Sequence, residues 1–550
     1  MKPHYILALL VALFLLGCAS QTAVPSPTPV PTAEPTLEPT AEPVAEITTA
    51  EGHFWWNDRV FYEVFVRSFY DSDGDGIGDL QGLISQLDYF EELGVGGLWL
   101  MPIMDSPSYH GYDVVDYYTI NPDYGTNDDF VQLMAEAEAR DIKIIVDLVI
   151  NHTSTQHPWF MEARNPVVES PYREYYLWTE EEPTYTGPWG QDVWHAGRGG
   201  YYYYAVFWDQ MPDLNFENPE VTAEIEAITR FWLEDMGVDG FRLDAIKHLI
   251  EDGAVQENTP ETLAWFAAYH DFYKEVNPEA FTVGEVWSPT FEVVKYVGDK
   301  VDVAFEFDTA EAILRSTNNA NNSFILTAHQ NVADNFADNQ VATFITNHDQ
   351  NRVMNQLLGI PERAKVAASL LLTGPGVPFI YYGEEIGQVG AKPDEDIRTP
   401  MQWSAEAGAG FTTGVAWRAP QADYPEVNVA SQRDNPDSLL NHYRALIQLR
   451  NEHPALRYGD WQEVEVDSRR VYAALRHTEG ETLLVLINLH KDPLTEYTLS
   501  LATAALSEGT AEELFQTATV APPTLTAAGG FENYTPLELA GYTTYIIRLR

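Results

Sequence analysis

The run KIIVDLVI, Lys143 to Ile150, is apolar at six of its eight positions and shows no regular polar alternation. That pattern predicts a strand buried on both faces, as in a parallel sheet covered by helices, not the half-solvated strand of an antiparallel sheet. Helix-period and strand-period segments alternate on either side of it. Upstream, Leu83 to Leu93 reads as a helix, GLWLMPI (Gly97 to Ile103) as a strand and Phe130 to Arg140 as a helix. Downstream, a helix through Glu224 to Met236 precedes Val238 to Asp244, and a helix through Thr262 to Glu275 precedes Phe281 to Val286. With VFYEVFVRSF (Val60 to Phe69) as a first strand, the strands fall near residues 62, 97, 143, 239, 281, 303, 342 and 377. Eight strands with intervening helices predict an α/β fold, a (β/α)₈ TIM barrel, whose chemistry sits at the C-terminal ends of the strands.

The remaining sequence is of other kinds. Met1-Lys2 leads into an apolar run, Ile6 to Leu16, that ends in Leu15-Leu16-Gly17-Cys18. The run is too short to span a bilayer but suits an export signal. Residues 1–18 resemble a bacterial lipoprotein signal, which implies lipidation of Cys18 and a protein exported and lipid-anchored to the cell envelope, touching membrane only through that anchor. Residues 19–50 carry PSPTPVPTAEPTLEPTAEP, a Pro/Thr/Glu-rich linker with too few large apolar side chains for a core. The catalytic barrel is expected over 51–457, with an aromatic and glycine-rich subdomain without a clear helix inserted over 153–210. From 458 to 550 short alternating strands predict a C-terminal antiparallel β-sandwich.

The 31 basic and 83 acidic residues give a formal charge of −52. Such a surface repels phosphate backbones, so no nucleic-acid partner is expected. The single cysteine, Cys18, excludes an intrachain disulfide and a cysteine zinc site. A monomer is expected.

Charged residues gather at predicted strand ends. GFRLDAIKH (Gly240 to His248) puts Arg242 and Asp244 on one side of a strand, a spacing that by itself more often marks a structural ion pair. Glu285 ends the next strand in FTVGEVW, and His348-Asp349 follow in FITNHDQNR. Three carboxylates at one mouth, among many Trp and Tyr side chains, point to glycoside chemistry, which needs one protonated and one ionised carboxyl group across a sugar. Separately, DSDGDGIGD (Asp71 to Asp79) has the alternating aspartates of a calcium loop. An EF-hand would need glutamate where Gly82 stands, which leaves a different calcium site closed by Asp79 and the carbonyl of Ile77, or a solvated acidic turn.

From about Phe54 to the C-terminus the sequence resembles the α-amylase family, glycoside hydrolase family 13. DLVINH (Asp147 to His152), MPDLN (Met211 to Asn215), GFRLDAIKH, GEVW (Gly284 to Trp287) and TNHDQNR carry the resemblance, in the family's order. It implies that Asp244 is the nucleophile, Glu285 the general acid/base and Asp349 the third carboxylate, in a retaining mechanism. It also implies substrate contacts from His110, Tyr112, His152, Arg242, Lys247 and His348. The acidic loop resembles that of the oligo-1,6-glucosidase branch, which implies a Ca2+ ion on Asp71, Asp73, Asp75, Ile77 and Asp79. A second calcium, as in many members, would involve Asn151 and the carbonyl of His248.

MPDLN resembles the intermediate group between oligo-1,6-glucosidases and neopullulanases. RTPMQW (Arg398 to Trp403) resembles the exo-acting glucosidases, in which this arginine pairs with an upstream aspartate to clamp a chain end. Tyr109 stands at that upstream position, so the expectation is a weak clamp at Arg398, an open-ended cleft and endo-cleavage of α-1,4-glucans such as starch and maltodextrins. The alternatives are an exo-acting α-glucosidase or oligo-1,6-glucosidase, a transglycosylase and, more remotely, a non-catalytic glucan-binding surface protein.

Overall fold

A computed structural model describes residues 53–550; Cys18, the signal over 1–18 and the linker over 19–50 lie outside the described residues. The eight barrel strands are β1 (Phe61–Val64), β2 (Gly97–Leu100), β3 (Lys143–Leu148), β4 (Gly240–Leu243), β5 (Phe281–Gly284), β6 (Val303–Ala304), β7 (Ala342–Thr343) and β8 (Val377–Tyr381). Their order is β6-β5-β4-β3-β2-β1-β8-β7, with all neighbours parallel. A bridge between Phe305 and Ala342, where the amide of Glu306 donates to the Ala342 carbonyl at 3.0 Å, brings the two ends together and all but closes the barrel.

The period of two along each strand sorts apolar side chains into two cores. Phe61, Trp99, Ile145, Phe281, Val283 and Phe379 fill the barrel interior. Tyr62, Leu98, Leu100, Ile144, Val146 and Leu148 pack into the larger core beneath the helices. Both sets are needed, which is why the strand sequences lack polar alternation.

Several elements depart from the sequence reading. The strand expected over Val60 to Phe69 stops at Val64, and Val66–Phe69 is a helical turn over the barrel rim. The helix expected over Leu83 to Leu93 is two, Leu80–Ser85 and Leu87–Leu93, parted at Gln86, with Asp79 capping the first through the amide of Gly82. The helix placed at Glu224 to Met236 begins at Pro219, capped by Asn218, and ends in a wide turn over Phe231–Asp235. The inserted tract does contain a helix, Pro158–Ala163, held at its start by His157, beside a sheet of Trp178–Thr179, Trp194–Ala196 and Tyr202–Tyr204.

The C-terminal region forms antiparallel sheets of five and three strands, the larger built on Val471–His477, Thr482–Asn488 and Thr544–Leu549. Two buried arginines line the seam, Arg476 from the C-terminal sheet and Arg450 from the last barrel helix, Leu439–Glu452. Arg450 donates to the carbonyls of Leu372 (2.9 Å) and Gly376 (2.7 Å), and Arg476 to that of Thr373 (2.8 Å). The Leu372 and Thr373 carbonyls end the helix Pro361–Thr373, where the helix dipole favours positive charge.

The strand that carries Asp244 leaves no room for a side chain at its first position. A β-carbon at Gly240 would lie 1.8 Å from the carbonyl oxygen of Phe281 on β5. Gly240→Ala is therefore expected to push the two strands apart and cost about 3 kcal/mol, measured by chemical denaturation against the wild type.

Candidate active site

One guanidinium organises the mouth of the barrel. Arg242, fully buried on β4, donates from Nη1 to Asp147 Oδ1 (2.9 Å) and to Asp244 Oδ1 (2.5 Å), and from Nη2 to Glu285 Oε2 (2.8 Å). Asp244 and Glu285 each directly follow a strand, and the shared cation places their carboxylates side by side. Glu285 Oε2 also accepts the amide of Ala245 at 3.1 Å. That contact uses an uncommon backbone state, because Ala245 is left-handed at φ 50°. Burial pushes the Glu285 carboxyl above its ordinary range and Asp244 and Asp349 add to this, against the pull of Arg242.

Asp349 is treated in the opposite way. It sits in the loop that continues past Thr343, the last residue of β7, rather than on the strand itself. Burial would raise its pKa, but His348, Arg398 and Arg242 outweigh it and hold the carboxyl down to about 2. Arg398 Nη2 reaches Asp349 Oδ1 at 2.8 Å, and His348 Nε2 lies 3.3 Å from Asp349 Oδ2. Burial would lower His348, yet Asp349 and Glu63 raise it; its Nδ1 meets Glu63 Oε1 at 2.5 Å and its Nε2 meets the Tyr112 hydroxyl at 2.7 Å. Tyr112 donates in turn to Asp147 Oδ2 at 3.0 Å. Burial raises Asp147 to about 7, in a position that also receives the indole N–H of Trp99 at 3.3 Å.

These groups open into a cleft of about 520 Å³ lined by His110, Tyr112, His152, Lys247, Arg398 and the three carboxylates. The fold thus brings together all ten residues singled out around the mouth, Arg242 and His348 from behind the lining. Burial lowers His110 and His152, which keeps both rings neutral at pH 7. Lys247 is tied to the Trp287 carbonyl (2.9 Å) and to Glu257 (2.8 Å). Tyr109 holds the upstream clamp position as expected, and Arg398 has a local neighbour that the sequence reading did not consider: Asp394, one helical turn earlier, lies 3.4 Å from Nη2 and lines the cleft. Sequence reasoning also passed over Asp147 and Glu63, both flanking residues already quoted for their strands, and the cleft aromatics Trp189, Phe207 and Trp287. Asp147 was visible as a charge inside an otherwise apolar run; the aromatics had no local signal.

At the acidic loop, Asp71, Asp73 and Asp79 offer oxygens within 4.8 Å of one another, a crowding of hard donors that fits Ca2+. The Asp75 carboxylate is outside that group and accepts the amide of Ile77 at 2.8 Å. The second cluster is richer than the sequence indicated. Asn151 donates to Asp213 at 3.1 Å, burial raises Asp213 to about 8, and burial with Asp213 raises Glu251 well above its ordinary range. Asn151 Oδ1 and Glu251 Oε1 are both buried without a hydrogen-bond partner. Such oxygens suit a cation.

The Asp349 environment gives a pH test. Its folded pKa is depressed, so its contribution to stability is complete above the unfolded value of about 3.9 and is lost as pH falls through about 2. Arg398→Ala removes one of the cations responsible. The variant is expected to lose less stability than the wild type between about pH 4 and 2, read from denaturation curves taken across that window.

Comparison with known proteins agrees with this geometry. Residues 63–459 match the family model described as "Alpha amylase, catalytic domain". Alpha-amylase 3 of Dictyoglomus thermophilum is 41% identical over 443 residues, covering 80% of this chain and 86% of that protein. The oligo-1,6-glucosidase of Heyndrickxia coagulans is 34% identical over 518 residues, covering 80% and 93%. The crystal structure of the alpha-amylase from H. orenii superposes with a TM-score of 0.77 at 40% identity, covering 90% of this chain and 99% of that one. The chain therefore belongs to the alpha-amylase family, glycoside hydrolase family 13, and is a retaining glycoside hydrolase acting on α-glucans.

Proposed function

We propose that the enzyme cuts α-1,4 bonds within starch and maltodextrin chains, with Asp244 as nucleophile, Glu285 as acid and base, and Asp349 holding the sugar ring beside the scissile bond. The observation that carries this reading is the split treatment of neighbouring carboxyls. Glu285 is pushed up, as a proton donor needs, while Asp349 is held down to about 2 and Arg242 binds Asp244 at 2.5 Å. Glu285 protonates the departing glycosidic oxygen as the Asp244 carboxylate attacks C1. Glu285 then takes a proton from water, which releases the sugar with its configuration retained. Arg242, bonded to both groups, holds them side by side.

Endo action is supported by the cleft walls. The aromatics Trp189, Phe207 and Trp287 line the cleft with the carboxylates, and Tyr109, which stands where a clamp aspartate would, is stacked on Trp417 at 5.4 Å. The second reading, exo-cleavage, draws on Asp394 beside Arg398, a charged pair that a chain end could meet. Starch digestion separates the two: a range of maltooligosaccharides is expected in the first minutes, and glucose alone would overturn the endo reading. Glu285→Gln is expected to lower turnover by about 10³-fold, and undiminished hydrolysis of a soluble α-glucan would remove the assignment of Glu285.

Calcium is proposed at Asp71, Asp73 and Asp79, and a second ion at Asn151, Asp213 and Glu251. Bound there, the metal supplies charge that neutralises crowded carboxylates and so stabilises the fold. For an ion held at 100-fold its Kd, removal costs about 2.7 kcal/mol. Excess chelator should lower the melting temperature; an unchanged value would remove the metal from the account.

A further inference from the structure

Arg398 binds Asp349, and two of the contacts that hold Arg398 run back to a residue outside the cleft lining, Trp417. The Arg398 carbonyl accepts the hydroxyl of Ser68 at 2.5 Å, and Ser68 Oγ accepts the indole N–H of Trp417 at 3.0 Å. At the far end of the side chain, the guanidinium carbon lies 6.0 Å from the ring centroid of Tyr109. That ring is stacked on Trp417 at 5.4 Å with 24° between the planes. Trp417 thus reaches both ends of Arg398, the backbone through one hydroxyl and the cation through one ring. Ser68 is fully buried, so a hydroxyl deprived of either partner would find no water in its place.

Trp417 is itself fixed by a contact between two distant stretches of chain. Its amide donates to the Gly76 carbonyl at 2.9 Å. At the start of the same segment the Phe411 carbonyl accepts the amide of Asp71 at 3.0 Å, and the Thr412 hydroxyl donates to the Asp71 carboxylate. The two backbones touch: a β-carbon at Gly76, which sits at φ 98°, would lie 1.9 Å from the Val415 carbonyl oxygen. Around the indole, Arg67 lies 5.5 Å from the ring centroid and Phe65 meets it edge-on at 6.1 Å. A ring tied by its amide, its N–H and its neighbours is a rigid support, and such a support needs no reordering when substrate binds.

We propose that Trp417 is a positioning residue for the reaction: through Ser68 and Tyr109 it fixes both ends of Arg398, and so the place of the Asp349 carboxylate beside the sugar ring. The inference rests on the reading of Asp349 given above. Arg398 Nη2 meets Asp349 Oδ1 at 2.8 Å and its Nε meets the His348 carbonyl at 3.0 Å, so an arginine that swings releases both the carboxylate and the loop that carries it. Asp394, 3.4 Å from the same Nη2, is the acceptor to which it would turn. A shift of about 1 Å at a group that holds substrate is enough to slow a reaction about 100-fold.

A double-mutant cycle, read as kcat/KM on maltoheptaose, tests the proposal. Trp417→Ala is expected to lower kcat/KM about 30-fold. Trp417→Phe keeps a ring against Tyr109 and drops only the N–H bond, so a loss of about fivefold is expected. In the Arg398→Ala background both substitutions should change kcat/KM by less than about twofold, because the group they position is gone. A residue that only packs would lower the melting temperature and give the same factor in both backgrounds. Equal factors in the two backgrounds, or no loss from either substitution while Arg398 is present, overturn the proposal. The Trp417→Phe arm carries the same comparison where Trp417→Ala does not fold. Asp349→Asn is assayed alongside: if it keeps wild-type turnover, the reading of Asp349 fails, whatever the cycle shows.

Discussion

The arrangement at the barrel mouth depends on a single buried guanidinium. Arg242 has no contact with solvent and is surrounded by Asp147, Asp244 and Glu285, so its charge is compensated without water. A cation in that position would be costly if any partner were lost, because the remaining charges are desolvated. The cost is met by geometry: strands three, four and five end at the same level, and one planar donor meets Asp147 and Asp244 through Nη1 and Glu285 through Nη2. Lysine could not satisfy three carboxylates in this way.

Around that cation the protein gives neighbouring acids different protonation. Asp349 is kept ionised by Arg398 and His348, with Glu63 supporting the histidine from inside the barrel. Glu285 has only a share of Arg242, and burial with two neighbouring carboxylates favours its proton. Arg242 and His348, behind the cleft lining, therefore help set the charge state of the acids that line it. The left-handed Ala245 belongs to the same design, because it turns an amide onto Glu285.

The acidity of the chain has a local counterpart. Asp71, Asp73 and Asp79 crowd one loop, and Asp213 and Glu251 are buried together beside Asn151. Both clusters lie near the elements that shape the cleft: the first follows the turn after β1, and the second joins the inserted region to the loop after β4. Charge compensation there would stiffen the walls without touching the reacting groups.

The sequence by itself determined the barrel, because only strands buried on both faces tolerate runs such as KIIVDLVI, and their number and spacing leave few other closures. It also picked out the three carboxylates, since each stands in a short motif at or just past a strand end. What tertiary structure decided is who shares whom. Glu63 behind His348, Arg398 on Asp349 and Glu251 beside Asp213 join residues distant in the chain. Local pattern carries no record of such pairings, because they follow from how loops of different strands meet above a common barrel. Helix ends were misread for a related reason: caps such as Asp79 and Asn218 and the break at Gln86 are set by single hydrogen bonds and packing, not by periodicity.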